Sequence, residues 1–261
     1  MISIVATALF ASGYAQEHQH QHEHGDHEEL GEVNFRVSCN TPAQKQFNRA
    51  AALLHSFGYE QAEKAFAEVL ATDPDCVMAY WGLAMTQNHP IWAPPTVTEL
   101  KKGASAVEKA KSLTVKTDRE RGYIAAIDAF YKDYDKIDHP TRTLAYEKAM
   151  EQAYKRYPDD REAAIFYGLS LLGTASSRPV DKSFAKQKQA AEILNSILPT
   201  EPNHPGIAHY IIHSYDYPEL ANLALPAARS YSKIAPSSPH ALHMPTHIYT
   251  RIGDWNGVIR G

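Results

Sequence analysis

An all-α fold built from repeated helix–turn–helix units is what this sequence predicts. Three observations carry that expectation. Ala, Leu, Glu, Lys and Gln dominate most segments and only 13 of 261 residues are glycine, a composition that favours helix. Prolines 74, 158, 202 and 236 each close an apolar-periodic stretch, where a ring that cannot donate a backbone hydrogen bond stops a helix. Two histidine pairs, His209/His213 and His243/His247, are each spaced by four residues and offset from one another by 34. A spacing of four puts two side chains on one helix face, and an offset of 34 is the period of a repeated helical hairpin.

Residues 2–15 (ISIVATALFASGYA) are apolar and end in the small-x-small tripeptide Gly13-Tyr14-Ala15. That is the pattern of a signal peptide over 1–15, cut before Gln16. No basic residue precedes the apolar run, so the true signal would begin upstream; a frayed apolar N-terminus is the other reading. The run is too short to span a bilayer. The expectation is an exported protein, periplasmic or extracellular, with no membrane span after cleavage.

Residues 16–39 read as a disordered histidine-rich segment, since EHQHQHEHGDHEE contains no apolar residue with which to pack. His18, His20, His22, His24 and His27 could collect Zn²⁺, Cu²⁺ or Ni²⁺ loosely, or the tract is simply solvated. The two cysteines are Cys39 and Cys76. An even count in an exported chain invites a disulfide, which would staple the segment before the first helix onto the first repeat; two buried free thiols remain the alternative.

The repeat domain is placed at 40–261. Helices are expected at 44–57, 60–71 and 77–88, then, after an extended Ile91-Trp92-Ala93-Pro94-Pro95 insertion, at about 97–112, 118–134, 141–157, 160–173 and 182–197. Ala62, Phe66 and Pro74, with Tyr80 and Ala84 beyond them, resemble the small residue, aromatic, helix-ending proline and core positions of the tetratricopeptide (TPR) family. Ala224, Ala228 and Pro236 repeat the pattern with alanine in place of the aromatic. The resemblance implies a right-handed α-solenoid, irregular in the middle, that holds a peptide or protein partner in its concave groove. Gly253-Asp254-Trp255 resembles the opening of another second helix, so the array is expected to continue past residue 261.

In the register set by Pro202 and Pro236, His209, His213, His243 and His247 fall at positions that line the groove in that family. His240, His243 and His247 also share one face of a helix interrupted by Pro245, where a kink is expected. Zn²⁺ and copper both accept several imidazole nitrogens, so His209, His213, His240, His243 and His247 form a candidate copper or zinc site. Tyr210, Tyr249, His55, His89, Trp81 and Trp92 are candidate groove residues; hydrogen bonds from such tyrosines would explain the histidines without a metal. The earlier repeat carries Ile165 and Leu169 at the same positions, which confines the histidines to the last two repeats. A formal charge of −4 argues against a nucleic-acid partner. The sequence has no HExxH motif, glycine-rich phosphate loop or arguable Ser-His-Asp set, so nothing in it favours an enzyme. The expected function is therefore an exported scaffold for a peptide or protein, with a copper- or zinc-binding protein or metalloenzyme using the groove histidines as the alternative.

Overall fold

The computed structural model describes residues 28–260; the stretch 1–15 and the tract 16–27 lie outside the described residues. Twelve α-helices follow, with no strand among the described residues: α1 (Thr41–His55), α2 (Tyr59–Thr72), α3 (Val77–Met85), α4 (Val97–Ser112), α5 (Asp118–Tyr131), α6 (His139–Arg156), α7 (Arg161–Ser176), α8 (Ala185–Ile197), α9 (Pro205–Tyr215), α10 (Leu225–Ile234), α11 (Pro239–Ile252) and α12 (Trp255–Arg260). Local chemistry sets many of the boundaries. Asn40 and Asp138 accept backbone N–H groups at the starts of α1 and α6, and Thr96 with Glu99 completes a capping box on α4. The prolines at 74, 158, 202 and 236 follow α2, α6, α8 and α10, whereas α4 closes at Leu113 without one. The α11 helix runs unbroken through Pro245.

Successive helices pair as hairpins, α3 neighbours both α1 and α5, and α9 neighbours both α7 and α11. The TPR-like stack of helical hairpins is therefore present. It is not an open trough. Helix α9 also packs against α1, with the Tyr210 hydroxyl 3.0 Å from His55 Nδ1. The array thus curls until its fifth hairpin meets its first.

The space inside that curl is filled by the chain itself. Residues 28–39 run extended across the array. Glu29 and Ser237 exchange two hydrogen bonds, Glu32 N–H donates to the Asn203 carbonyl, and Ser38 N–H and Oγ donate to Glu120. Phe35, wholly buried, sits between Phe47, Trp81, Tyr123 and Phe166 at ring separations of 5.1–6.1 Å. Two expectations are corrected here. Disorder over 16–39 does not extend to 28–39, because Leu30 and Phe35 supply the apolar anchors that the acidic tract before them lacks. Trp81 is not a groove residue: it is fully buried against Phe35 and Phe166.

Cys39 and Cys76 form a disulfide with Cα atoms 4.9 Å apart. It pins the end of the extended segment to the start of α3. Closing a loop over a separation of 37 residues should stabilise the fold by about 4 kcal/mol in the chain-entropy model. Urea unfolding of the oxidised protein and of the Cys39→Ser/Cys76→Ser variant measures this; equal midpoints would refute it.

Candidate metal centre

Helices α9 and α11 bring three histidines together. His209 Nε2 lies 3.0 Å from His213 Nε2, one turn away on α9, and 2.9 Å from His240 Nε2 in the first turn of α11. The three ligand nitrogens lie within 4.8 Å of one another. Phe57, in the turn after α1, packs its ring against all three imidazoles, 4.4–5.6 Å away. It holds a left-handed backbone (φ 55°), a strained state for a bulky residue that persists only where the surroundings fix it. Tyr231 stacks on His209 from the other side, at 5.1 Å.

The tautomer of His209 is set by the protein. Its Nδ1 lies 2.6 Å from the carbonyl oxygen of His55, which can only accept, so Nδ1 carries the proton and Nε2 presents a bare lone pair. That carbonyl belongs to the last residue of α1, at the negative end of the helix dipole, and makes the imidazole a better donor to a cation. One lone pair cannot satisfy both His213 and His240, whereas an ion between the three would accept a lone pair from each. Two nitrogens at right angles about an ion, on bonds of about 2.05 Å, lie about 2.9 Å apart, and in a tetrahedral pair about 3.3 Å. The observed 2.9 and 3.0 Å are close to these separations, so a copper or zinc ion fits the donor set.

Burial first, and then mutual repulsion of the imidazoles, keeps the cluster neutral. His209 is held well below the ordinary histidine range, His213 falls to about 3 and His240 to about 4. All three are therefore ready to bind metal at neutral pH. The unfolded chain takes up these protons near pH 6.5 and the folded chain only near 4 and below, so acid favours unfolding. The metal-free protein should lose stability as pH falls from 7 to 5, with the fully buried His209 alone contributing up to about 1.4 kcal/mol per unit below pH 6.5. Urea midpoints across that range test this, and a flat profile would contradict it.

The other two histidines stand apart. His243 and His247 pair at 2.9 Å, and His247 Nδ1 lies 2.9 Å from Asp216, which Arg251 also engages. His243 is exposed and is not the residue that meets His209; the expected five-histidine site is corrected to a trihistidine cluster with a neighbouring pair. The physical cause is register. His209–His240 and Asp216–His247 are both 31 residues apart, three short of the repeat period, so α11 is displaced by nearly one turn along α9.

The candidate groove residues separate in the same way. His55 and Tyr210 are fully buried and bond to each other, contrary to a groove placement. The Tyr249 hydroxyl donates to the Ala228 carbonyl. His89 packs against Tyr59 at 4.5 Å, and Trp92, 48 % exposed, approaches His240 at 5.6 Å. His213 and Asp216 border a cavity of about 150 Å³ with Gln187 and Tyr217. Sequence reasoning missed Phe57, Tyr231 and Asp216. Only Asp216, three residues beyond His213, carried a local signal.

No protein-family model and no curated protein matches this sequence. Among solved structures, the chain is similar to YrrB, described as a TPR protein with an unusual peptide-binding site. The identity is 20 % and the TM-score 0.37, over 77 % of this chain and 90 % of that one. At that score the likeness adds nothing to the hairpin array already described.

Proposed function

We propose that this chain is an exported metal-binding protein of the helical-hairpin type, holding one copper or zinc ion at His209, His213 and His240. The observation that carries the reading is the grouping of three imidazole nitrogens within 4.8 Å of one another, with the lone pair of His209 Nε2 freed by the hydrogen bond from Nδ1 to the His55 carbonyl. Metal-bound imidazoles commonly donate their second nitrogen in this way. The small cavity beside His213 leaves room for a water or small ligand at an open coordination position. No catalytic step is assigned.

The test separates this cluster from the simple 34-residue spacing. In the full chain, with His18, His20, His22, His24 and His27 changed to Gln so that the tract holds no ion, copper content is measured after dialysis. His240→Ala should lose the ion and His243→Ala should keep it. Equal content in the two variants would reject the site.

A second reading, a scaffold for a peptide or protein partner, is favoured by one feature: Trp92, half-exposed on the rim of the histidine cluster. Exposed tryptophans of this kind anchor partners. The partner would then dock beside the cluster, since residues 28–39 fill the interior of the curl. Loss of partner capture on Trp92→Ala would support it, and unchanged capture would reject it.

A further inference from the structure

We propose that His55, Glu162 and His204 form a second metal site, a two-histidine, one-carboxylate centre for a divalent ion such as Mn²⁺ or Fe²⁺, distinct from the trihistidine cluster. The three residues come from the end of α1, the first turn of α7 and the residue that caps α9, so no sequence spacing announces them. His55 Nε2 lies 3.0 Å from one oxygen of Glu162, and His204 Nε2 lies 3.1 Å from the other. All three ligand atoms fall within 4.8 Å of one another. Ligands on bonds of about 2.1 Å that meet at right angles lie about 3.0 Å apart, the separation of adjacent positions in an octahedron.

Charge and hydrogen bonding both leave the site open to an ion. Glu162 is 4 % exposed, and its ion-pair partners among the described residues are those two imidazoles alone. Burial opposes its ionisation, yet the two imidazoles hold its carboxyl well below the usual carboxylate range, so it stays an anion that a divalent cation can bind. Neither imidazole is locked in the tautomer that would make it a simple donor to the carboxylate. His55 Nδ1 faces the Tyr210 hydroxyl, which can donate or accept, and His204 Nδ1 is buried with no partner. Each ring can therefore turn a lone pair on Nε2 toward Glu162.

The backbone makes room for this approach. A Cβ at position 206 would lie 2.6 Å from His55 Nδ1 and 3.2 Å from His204 Cε1, so Gly206 is what lets α9 come close to both rings. Access comes from the other side. Glu162 and His204 line a cavity of about 620 Å³, shared with Arg36, Arg119 and Tyr157, with space for the water or substrate ligands that an octahedral ion keeps. The mixed nitrogen and oxygen donors suit Mn²⁺ or Fe²⁺ more than the all-imidazole cluster does.

The test silences the competing histidine clusters in the full chain: the five tract histidines become Gln, and His209, His240, His243 and His247 become Ala. Mn²⁺ is titrated in and the free ion is counted by electron paramagnetic resonance. One ion per chain is expected, weakened at least about 100-fold by Glu162→Gln, with the helical circular dichroism unchanged. Absence of saturable binding in the parent would overturn the proposal, as would binding indifferent to Glu162→Gln. If Glu162→Gln does not fold, His204→Gln takes its place under the same criteria. Because His209 and His240 are absent throughout, either outcome is independent of the copper reading.

Discussion

Replacing His209 by alanine should weaken copper binding at the trihistidine cluster by more than about 100-fold. Loss of an outer-shell partner alone typically costs about 10–100-fold, and His209 is a ligand at the centre of the group. Its Nε2 is the atom from which both other nitrogens are measured, at 2.9 and 3.0 Å. It is also the imidazole whose proton is placed by the protein. Without it, His213 and His240 face one another across a gap, and two neutral imidazoles make a weak site. Competition with a chromophoric chelator measures the affinity, and circular dichroism checks that the helices survive. An affinity within threefold of the parent would remove the centre from His209.

Phe35→Ala should destabilise the protein by about 3–5 kcal/mol, the usual cost of emptying a buried aromatic site. The ring is wholly buried and touches four aromatic side chains contributed by α1, α3, α5 and α7. Its loss opens a cavity that the helices around it, each held by its own hairpin partner, cannot easily collapse to fill. Phe35→Leu, which keeps most of the volume, should cost much less. Urea unfolding gives both values. A loss below about 1 kcal/mol for Phe35→Ala would mean that the extended segment lies on the array without supporting it.

Much of the helical framework was legible locally. Pro74, Pro158, Pro202 and Pro236 announce stops and the start of α4 falls where expected, whereas α1 and α6, capped by Asn40 and Asp138, begin at Thr41 and His139, before the expected 44 and 141. The i, i+4 pairing of His209 and His213 is likewise a property of one helix, and the structure keeps it at 3.0 Å. The Cys39–Cys76 pairing followed from there being two cysteines and from the expected export of the chain.

What the sequence determined by itself is this local set: where helices begin and end, which residues share a face, and which cysteines can pair. Those are short-range consequences of capping chemistry, helical period and residue count. Tertiary structure decided the rest. Whether His240 or His243 meets His209 depends on how far α11 slides along α9, and a repeat period of 34 cannot reveal a contact offset of 31. Whether the groove is open depends on Phe35 finding four aromatics spread from residue 47 to residue 166. The grouping of His55, Glu162 and His204 exists because the array curls until α9 reaches α1, and contacts of that separation are fixed by packing alone.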